Sequence, residues 1–378
     1  MGFLDFTWYY IVVFLFVLTV LIFVHEWGHY WVAKRNGVRI EVFSIGFGPE
    51  VFGWTNEVGT RWKIGAIPLG GYVKMFGENA DDDESDEPKE MTPEEKAVSF
   101  HHKTLAQRAA IVFAGPAVNY IFAAAAFAAL AMFEGTAVPL AVVGEVVPAS
   151  AAAEAGLIEN DRIVAIDDNE IKLFTDLRRI IMASPDQKLR LHIVRDGKNM
   201  TLKATPKSAS ARDDAGNLSN IGLLGVRPSL KDVEYERHNP AMALWVGVRQ
   251  TAVMTSNILV YIGDMIGGSR TTDDLGGPLR IAQISGEMAK GGISKLVLLM
   301  AMLSVNLGLI NLFPIPMLDG GHLAFYAAEA IRGKPLGPKV QEYGFRFGLI
   351  LVLVLVVFVT WNDLVHLRVF DIIKDLFT

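Results

Sequence analysis

The chain has 378 residues, 51% of them hydrophobic and 20% charged, with a mean hydropathy of +0.33. The apolar residues are gathered into long uncharged blocks, which excludes a wholly soluble globular protein, a disordered chain and a collagen-like one. A net charge of -6 leaves no electrostatic footprint for nucleic acid, and the absence of cysteine excludes disulfides, iron–sulfur clusters and thiolate-held zinc.

A bilayer core takes about 20 mostly apolar helical residues. The first such block, residues 6–24, carries no charge and ends at His25. It lacks a basic leader and an A-x-A site, so it reads as a retained span and not a cleaved signal peptide. His25-Glu26-Trp27-Gly28-His29 follows directly and is an H-E-x-x-H. On a helix, residues four apart share a face, so both imidazoles reach one metal. Zinc suits imidazole nitrogen and leaves a position for water. Glu26 adjoins the first ligand and is placed to take a proton from that water. Ionisable groups at the edge of an apolar span are expensive and usually functional. Two histidines are an incomplete set, because catalytic zinc normally takes three protein ligands.

Residues 38–76 are rich in Val, Ile, Phe, Trp and Gly, which predicts short strands joined by tight turns. Residues 81–90 are a charge run, read as a solvated linker. The second apolar block, 109–133, lies between Arg108 and Glu134 and contains Gly115-Pro116 and Asn119. Residues 137–228 read as a compact α/β module. Strands are predicted over 141–147, 161–166, 189–194 and 200–204, with a helix over 174–182. Asp196-Gly197 marks a type I′ hairpin turn. The stretch VVGEVVPASAAAEAGLIENDRIVAIDDNEI resembles a PDZ domain of bacterial proteases, with departures at Asn160-Asp161 and at Asp168. Such domains take an extended peptide as an added strand; the alternative is a spacer or steric plug.

Residues 240–263 are apolar but broken by Arg249 and Gln250, so an amphipathic helix is predicted, at the membrane surface or against the spans. The third block, 296–313, runs into Asn311-Leu312-Phe313-Pro314-Ile315-Pro316-Met317-Leu318-Asp319-Gly320-Gly321-His322. Two prolines break the helix here. Irregular backbone at membrane depth is tolerated only inside protein or along a wet cavity. On spacing alone Asp319 is either a third metal ligand or a helix N-cap. The fourth block is 347–362. Lys34, Arg35, Arg39, Lys103 and Arg108, then Arg332, Lys334, Lys339 and Arg346, place residues 30–108 and 314–346 in the cytoplasm and residues 134–295 outside. His25 and Asp319 then share one side. His322 is a neighbour of the site or a packed core residue. His101 and His102 read as solvated, and His192, His238 and His366 as ordinary.

The pair HEWGH and NLFPIPMLDG, with Gly46-Phe47-Gly48-Pro49, the stretch PLGGYVKM and Gly115-Pro116, resembles the site-2 protease family of intramembrane zinc metalloproteases, most closely its bacterial RseP type. The resemblance implies one zinc ion held by His25, His29 and Asp319, Glu26 as catalytic base, and Asn306 and Asn311 along the substrate path. It implies single-span membrane proteins as substrates, such as an anti-sigma factor in an envelope-stress response, and remnant signal peptides. It also implies a bacterial inner membrane, with the PDZ domain periplasmic and lipids as surroundings. One departure is a single traceable PDZ module where many such proteins have two.

The expected fold is a polytopic α-helical membrane protein: four transmembrane helices, a membrane-associated β-rich segment and an inserted α/β PDZ domain. The expected divisions are 1–36, 37–107, 108–134, 135–230 (the PDZ domain), 231–293, 294–346 and 347–378. The rival classes are a metal or proton transporter, which should show inverted repeats that this sequence lacks, and a noncatalytic PDZ scaffold.

Overall fold

The computed structural model describes residues 3–78, 91–212, 218–270 and 276–366, so the 81–90 charge run lies outside the described residues. The chain forms two compact units. One combines Met1–Leu130 with Pro240–Thr378, and the other is Ala131–Asn239.

The first unit begins with α1 (Phe3–Arg35), then β1 (Ile40–Thr55) and β2 (Arg61–Met75). The short strands expected over 38–76 are joined into two continuous ones, folded back on themselves. Phe43 pairs with Val73 on one side and Trp62 on the other, while Trp54 also faces Trp62. The hairpin is therefore a small sheet with segments ordered 71–75, 40–45, 61–64, 52–55. Gly46 and Gly48 in β1 and Gly70 in β2 have positive φ (87°, 81° and 137°), the conformation a bend needs and a side chain resists. Phe43 and Trp62 stack at 4.3 Å and Tyr30 of α1 meets Phe43 edge-on at 5.7 Å, which fixes the sheet to the helix.

A capped turn of helix, α2 (Pro93–Val98), precedes α3 (Leu105–Phe133). After the second unit come α6 (Pro240–Ile266), α7 (Pro278–Lys290), α8 (Ile293–Leu312), α9 (Asp319–Arg332) and α10 (Pro338–His366). Four helices are long and apolar enough to cross a membrane, over Trp8–Arg35, Leu105–Phe133, Ile293–Leu312 and Lys339–Val365. They fall on the four uncharged blocks. The helix α6 packs against the others through Ala243, Gly247 and Thr251, with Gly247 tight on Ala124 and Ala128 of α3, and leaves Arg249 and Gln250 exposed. At α7, Gly286 lies against the Tyr10 ring of α1, and the buried Asp363 of α10 accepts the backbone N–H groups of Gly277, Leu279 and Arg280 at the helix start.

The second unit is α/β. Its main sheet runs β6-β5-β7-β8, from β5 (Arg162–Ile166), β6 (Asn169–Glu170), β7 (Leu189–Arg195) and β8 (Lys198–Ala204). Three two-stranded ribbons join it. They pair β3 (Thr136–Pro139) with β12 (Val233–Glu236), β4 (Val143–Val146) with β11 (Val226–Pro228), and β9 (Lys207–Arg212) with β10 (Leu218–Leu223). Two helices, α4 (Ala151–Glu154) and α5 (Phe174–Met182), close the core around Ile163, Ile166, Leu177 and Leu191. The strands and the helix expected from the sequence lie where the alternation placed them. Asp196 and Gly197 both have positive φ, 49° and 75°, as a type I′ turn demands. Asp161 is fully buried and is held by Arg195 through two bonds of 2.7 Å.

Candidate metal centre

The site is built from three helices of the first unit. His25 and His29 sit one turn apart on α1, and their Nε2 atoms lie 3.2 Å from each other. Asp319, the first residue of α9, brings its Oδ2 to 3.2 Å from His25 Nε2 and 3.5 Å from His29 Nε2. Of the two readings left by spacing, the fold does not place Asp319 at the N-cap. Leu318 is the N-cap of α9, and the Asp319 carboxylate points at the two imidazoles.

The supporting surface is α3. His29 Nδ1–H donates to the Ile111 carbonyl at 2.9 Å, and the Asn119 carboxamide lies 3.1 Å from His25 Nδ1. Ile111, Gly115 and Asn119 are successive fourth residues, so one stripe of α3 faces one stripe of α1. Glycines permit the approach. A Cβ on Gly28 would meet the Ala114 carbonyl oxygen at 2.5 Å, and one on Gly115 would meet His29 Nε2 directly and His25 Cε1 at 2.8 Å. Gly308 of α8 packs against Tyr120 and the Pro116 carbonyl of α3.

These residues fit a metal. With its Nδ1 proton given to Ile111, His29 presents a lone pair at Nε2. The Asp319 Oδ2 beside it is buried with no hydrogen-bond donor among the described residues. Two imidazole Nε2 atoms and a carboxylate oxygen therefore converge on one point, where a divalent cation would be held. The donor set of two imidazoles and a carboxylate is that of a catalytic zinc site with one position open. It is also the one group of metal-ligating side chains of this kind found among the described residues.

Glu26 lies next to His25 on α1. A Cβ on Gly71 of β2 would sit 3.2 Å from Glu26 Cγ and 2.7 Å from an Ile22 methyl, so the bent sheet rests against this part of α1. Asn306 and Asn311 are half-buried on α8 and make no side-chain hydrogen bond to another described residue. His322 is packed against the Phe345 ring of α10 at 5.2 Å, and burial pushes its imidazole pKa below the ordinary range. His101 and His102 are exposed, while His192 pairs with Thr201 and His238 with Thr136. The sequence reading missed the role of the Ile111 carbonyl, since a backbone group leaves no mark in residue identity. For Gly115 and Asn119 a signal existed, in their fourfold spacing within an apolar helix.

A helix-borne H-E-x-x-H completed by a carboxylate from a distant helix defines a zinc metallopeptidase. The Peptidase family M50 matches residues 13–355, and the chain belongs to that family. A protein of Rhizobium meliloti named as a putative zinc metalloprotease is 44% identical over 96% of this chain and 98% of its own length. A namesake from Agrobacterium fabrum is 45% identical over 94% of this chain and 95% of its own. Metalloprotease MmpA of Caulobacter vibrioides is 36% identical over 96% of this chain and 97% of its own. A solved PDZ domain of a Listeria monocytogenes protein aligns with 26% of this chain and 90% of its own at 20% identity. Its TM-score of 0.18 is too low to define a fold.

Proposed function

We propose that this zinc metalloprotease cuts peptide bonds within membrane-spanning segments of single-span proteins. The observation that carries the reading is the place of the cluster. His25, Glu26 and His29 lie inside a helix long and apolar enough to cross a bilayer, between α3 and the helix break after α8. Around it, α1 and α10 expose large apolar side chains such as Trp8, Phe16, Phe347 and Leu353, which water would not tolerate in such density.

A peptide bond in a membrane helix is shielded by its own hydrogen bonds and must first be unwound, and the freed groups then need partners. The bent β1–β2 sheet supplies strand edges beside Glu26 for an extended substrate. Asn311 and Asn306 offer amides to that substrate or to its developing oxyanion. His25, His29 and Asp319 would hold a zinc ion, which would supply polarisation of the scissile carbonyl and a more acidic water. Glu26 takes the proton from the attacking water and passes it to the leaving nitrogen.

The fitting substrates are anti-sigma factors trimmed of their outer domain, as in an envelope-stress response, and remnant signal peptides. The fitting location is a bacterial inner membrane. The α/β unit is read as a periplasmic PDZ domain that either holds a peptide or screens substrates by size.

The test is co-expression of wild type and Glu26→Gln with a panel of single-span fragments lacking their outer domains. A shortened product with wild type alone is expected. Cleavage of a soluble unfolded protein in preference to every fragment would overturn the membrane-substrate reading.

A further inference from the structure

The two ligand histidines are held differently at their outer nitrogens. His29 Nδ1–H donates to a backbone carbonyl, which leaves no choice of tautomer. His25 Nδ1 faces a side-chain amide, and an amide can present either oxygen or nitrogen. With the carboxamide nitrogen toward His25, the Asn119 oxygen is buried without a hydrogen-bond partner among the described residues. The same orientation would draw the His25 proton to Nε2, the atom that faces Asp319 Oδ2 and His29 Nε2. That tautomer has no lone pair at Nε2, the atom turned toward the cluster.

We infer that Asn119 is a positioning residue whose carboxamide oxygen accepts the His25 Nδ1 proton and so holds His25 in the tautomer that ligates through Nε2. Asn119 then does for His25 what the Ile111 carbonyl does for His29. Its setting suits the task. Asn119 is fully buried, and its own backbone carbonyl accepts the Ser304 hydroxyl of α8 at 2.9 Å, also fully buried. The amide therefore reaches His25 from a fixed point. Partners of this kind typically contribute 10- to 100-fold in metal affinity.

The inference rests on the zinc site, and its test separates the two. Full-length wild type, Asn119→Leu and Asn119→Asp are purified in detergent, and zinc affinity is read by chelator competition. Thermal scans with and without zinc report folding. The expected result is a loss of about 10- to 100-fold in zinc affinity for Asn119→Leu. Asn119→Asp, which keeps an acceptor oxygen and loses the amide donor, should bind zinc at least as tightly as wild type.

If Asn119→Leu binds zinc like wild type, Asn119 does not set the tautomer. If Asn119→Asp loses as much affinity as Asn119→Leu, the acceptor assignment is wrong. Should Asn119→Leu fail to fold, the aspartate variant decides alone, because a donor-side role would cost it affinity. Failure of wild type to bind zinc would instead overturn the metal centre itself.

Discussion

The two units of this protein both bury apolar cores but differ in what they leave outside. The α/β unit keeps Ile163, Ile166, Leu191 and Ile193 inside and Arg178, Lys203 and Glu236 outside, the ordinary arrangement for water. The helical unit keeps Asn119, Ser304, His29 and Asp363 inside and Phe16, Leu353, Val357 and Trp361 outside. Each polar group buried in the second arrangement has a use, as cap, anchor or ligand support. The helical unit does bury apolar clusters, around Phe43, Val17 and Val305, and adds to them buried hydrogen bonds and close glycine contacts while large apolar side chains stay outside.

Substitutions can break or sharpen this contrast. The largest expected effect is at Glu26. Replacement by Gln should lower peptidase activity by on the order of 1,000-fold, the range of a lost general base, with zinc content by elemental analysis unchanged. Next is Gly115→Ala. A methyl there meets both imidazoles, so zinc affinity should fall by on the order of 100-fold. The same change at Gly197, which is open on all sides though at positive φ, should leave zinc binding alone.

In the α/β unit the strongest single change is Asp161→Leu, which strands Arg195 and the Ile158 N–H. Breaking a buried pair costs about 3 kcal/mol. Limited proteolysis should then cut within residues 131–239 while zinc affinity stays at the wild-type value. Loss of zinc in that variant would show that the units are not independent.

The smallest effect is at Asp167. The Arg190 backbone N–H and guanidinium hold its carboxyl below the usual 3.8, so its contribution is present above that value and is lost as pH falls through the folded pKa. The group is partly exposed, which screens the benefit to a few tenths of a kcal/mol. Asp167→Asn should therefore lower the midpoint of thermal unfolding slightly at pH 7 and not at all near pH 2.

What the sequence made legible follows the same divide. The α/β elements were readable because alternation and turn residues act locally. His25, Glu26 and His29 were readable because one helix carries them. Asp319 was ambiguous from spacing, since its role depends on α9 folding back onto α1, a contact between distant parts of the chain. The double pairing of β1 with β2 was hidden for a similar reason. Glycines announced bends, but which segments would meet across them is a matter of tertiary packing. The three-residue stripe on α3 lay in plain view as Ile111, Gly115 and Asn119, and only the neighbouring helix gives it meaning.

The metal ligands come from opposite sides of an insertion, with His25 and His29 before Ala131–Asn239 and Asp319 after it. During synthesis the ribosome therefore makes two ligands early and withholds the third until most of the chain has emerged. A polypeptide halted anywhere before α9 lacks the carboxylate of the cluster. The cluster is thus completed only when the C-terminal part of the chain has been made and α9 has folded back onto α1.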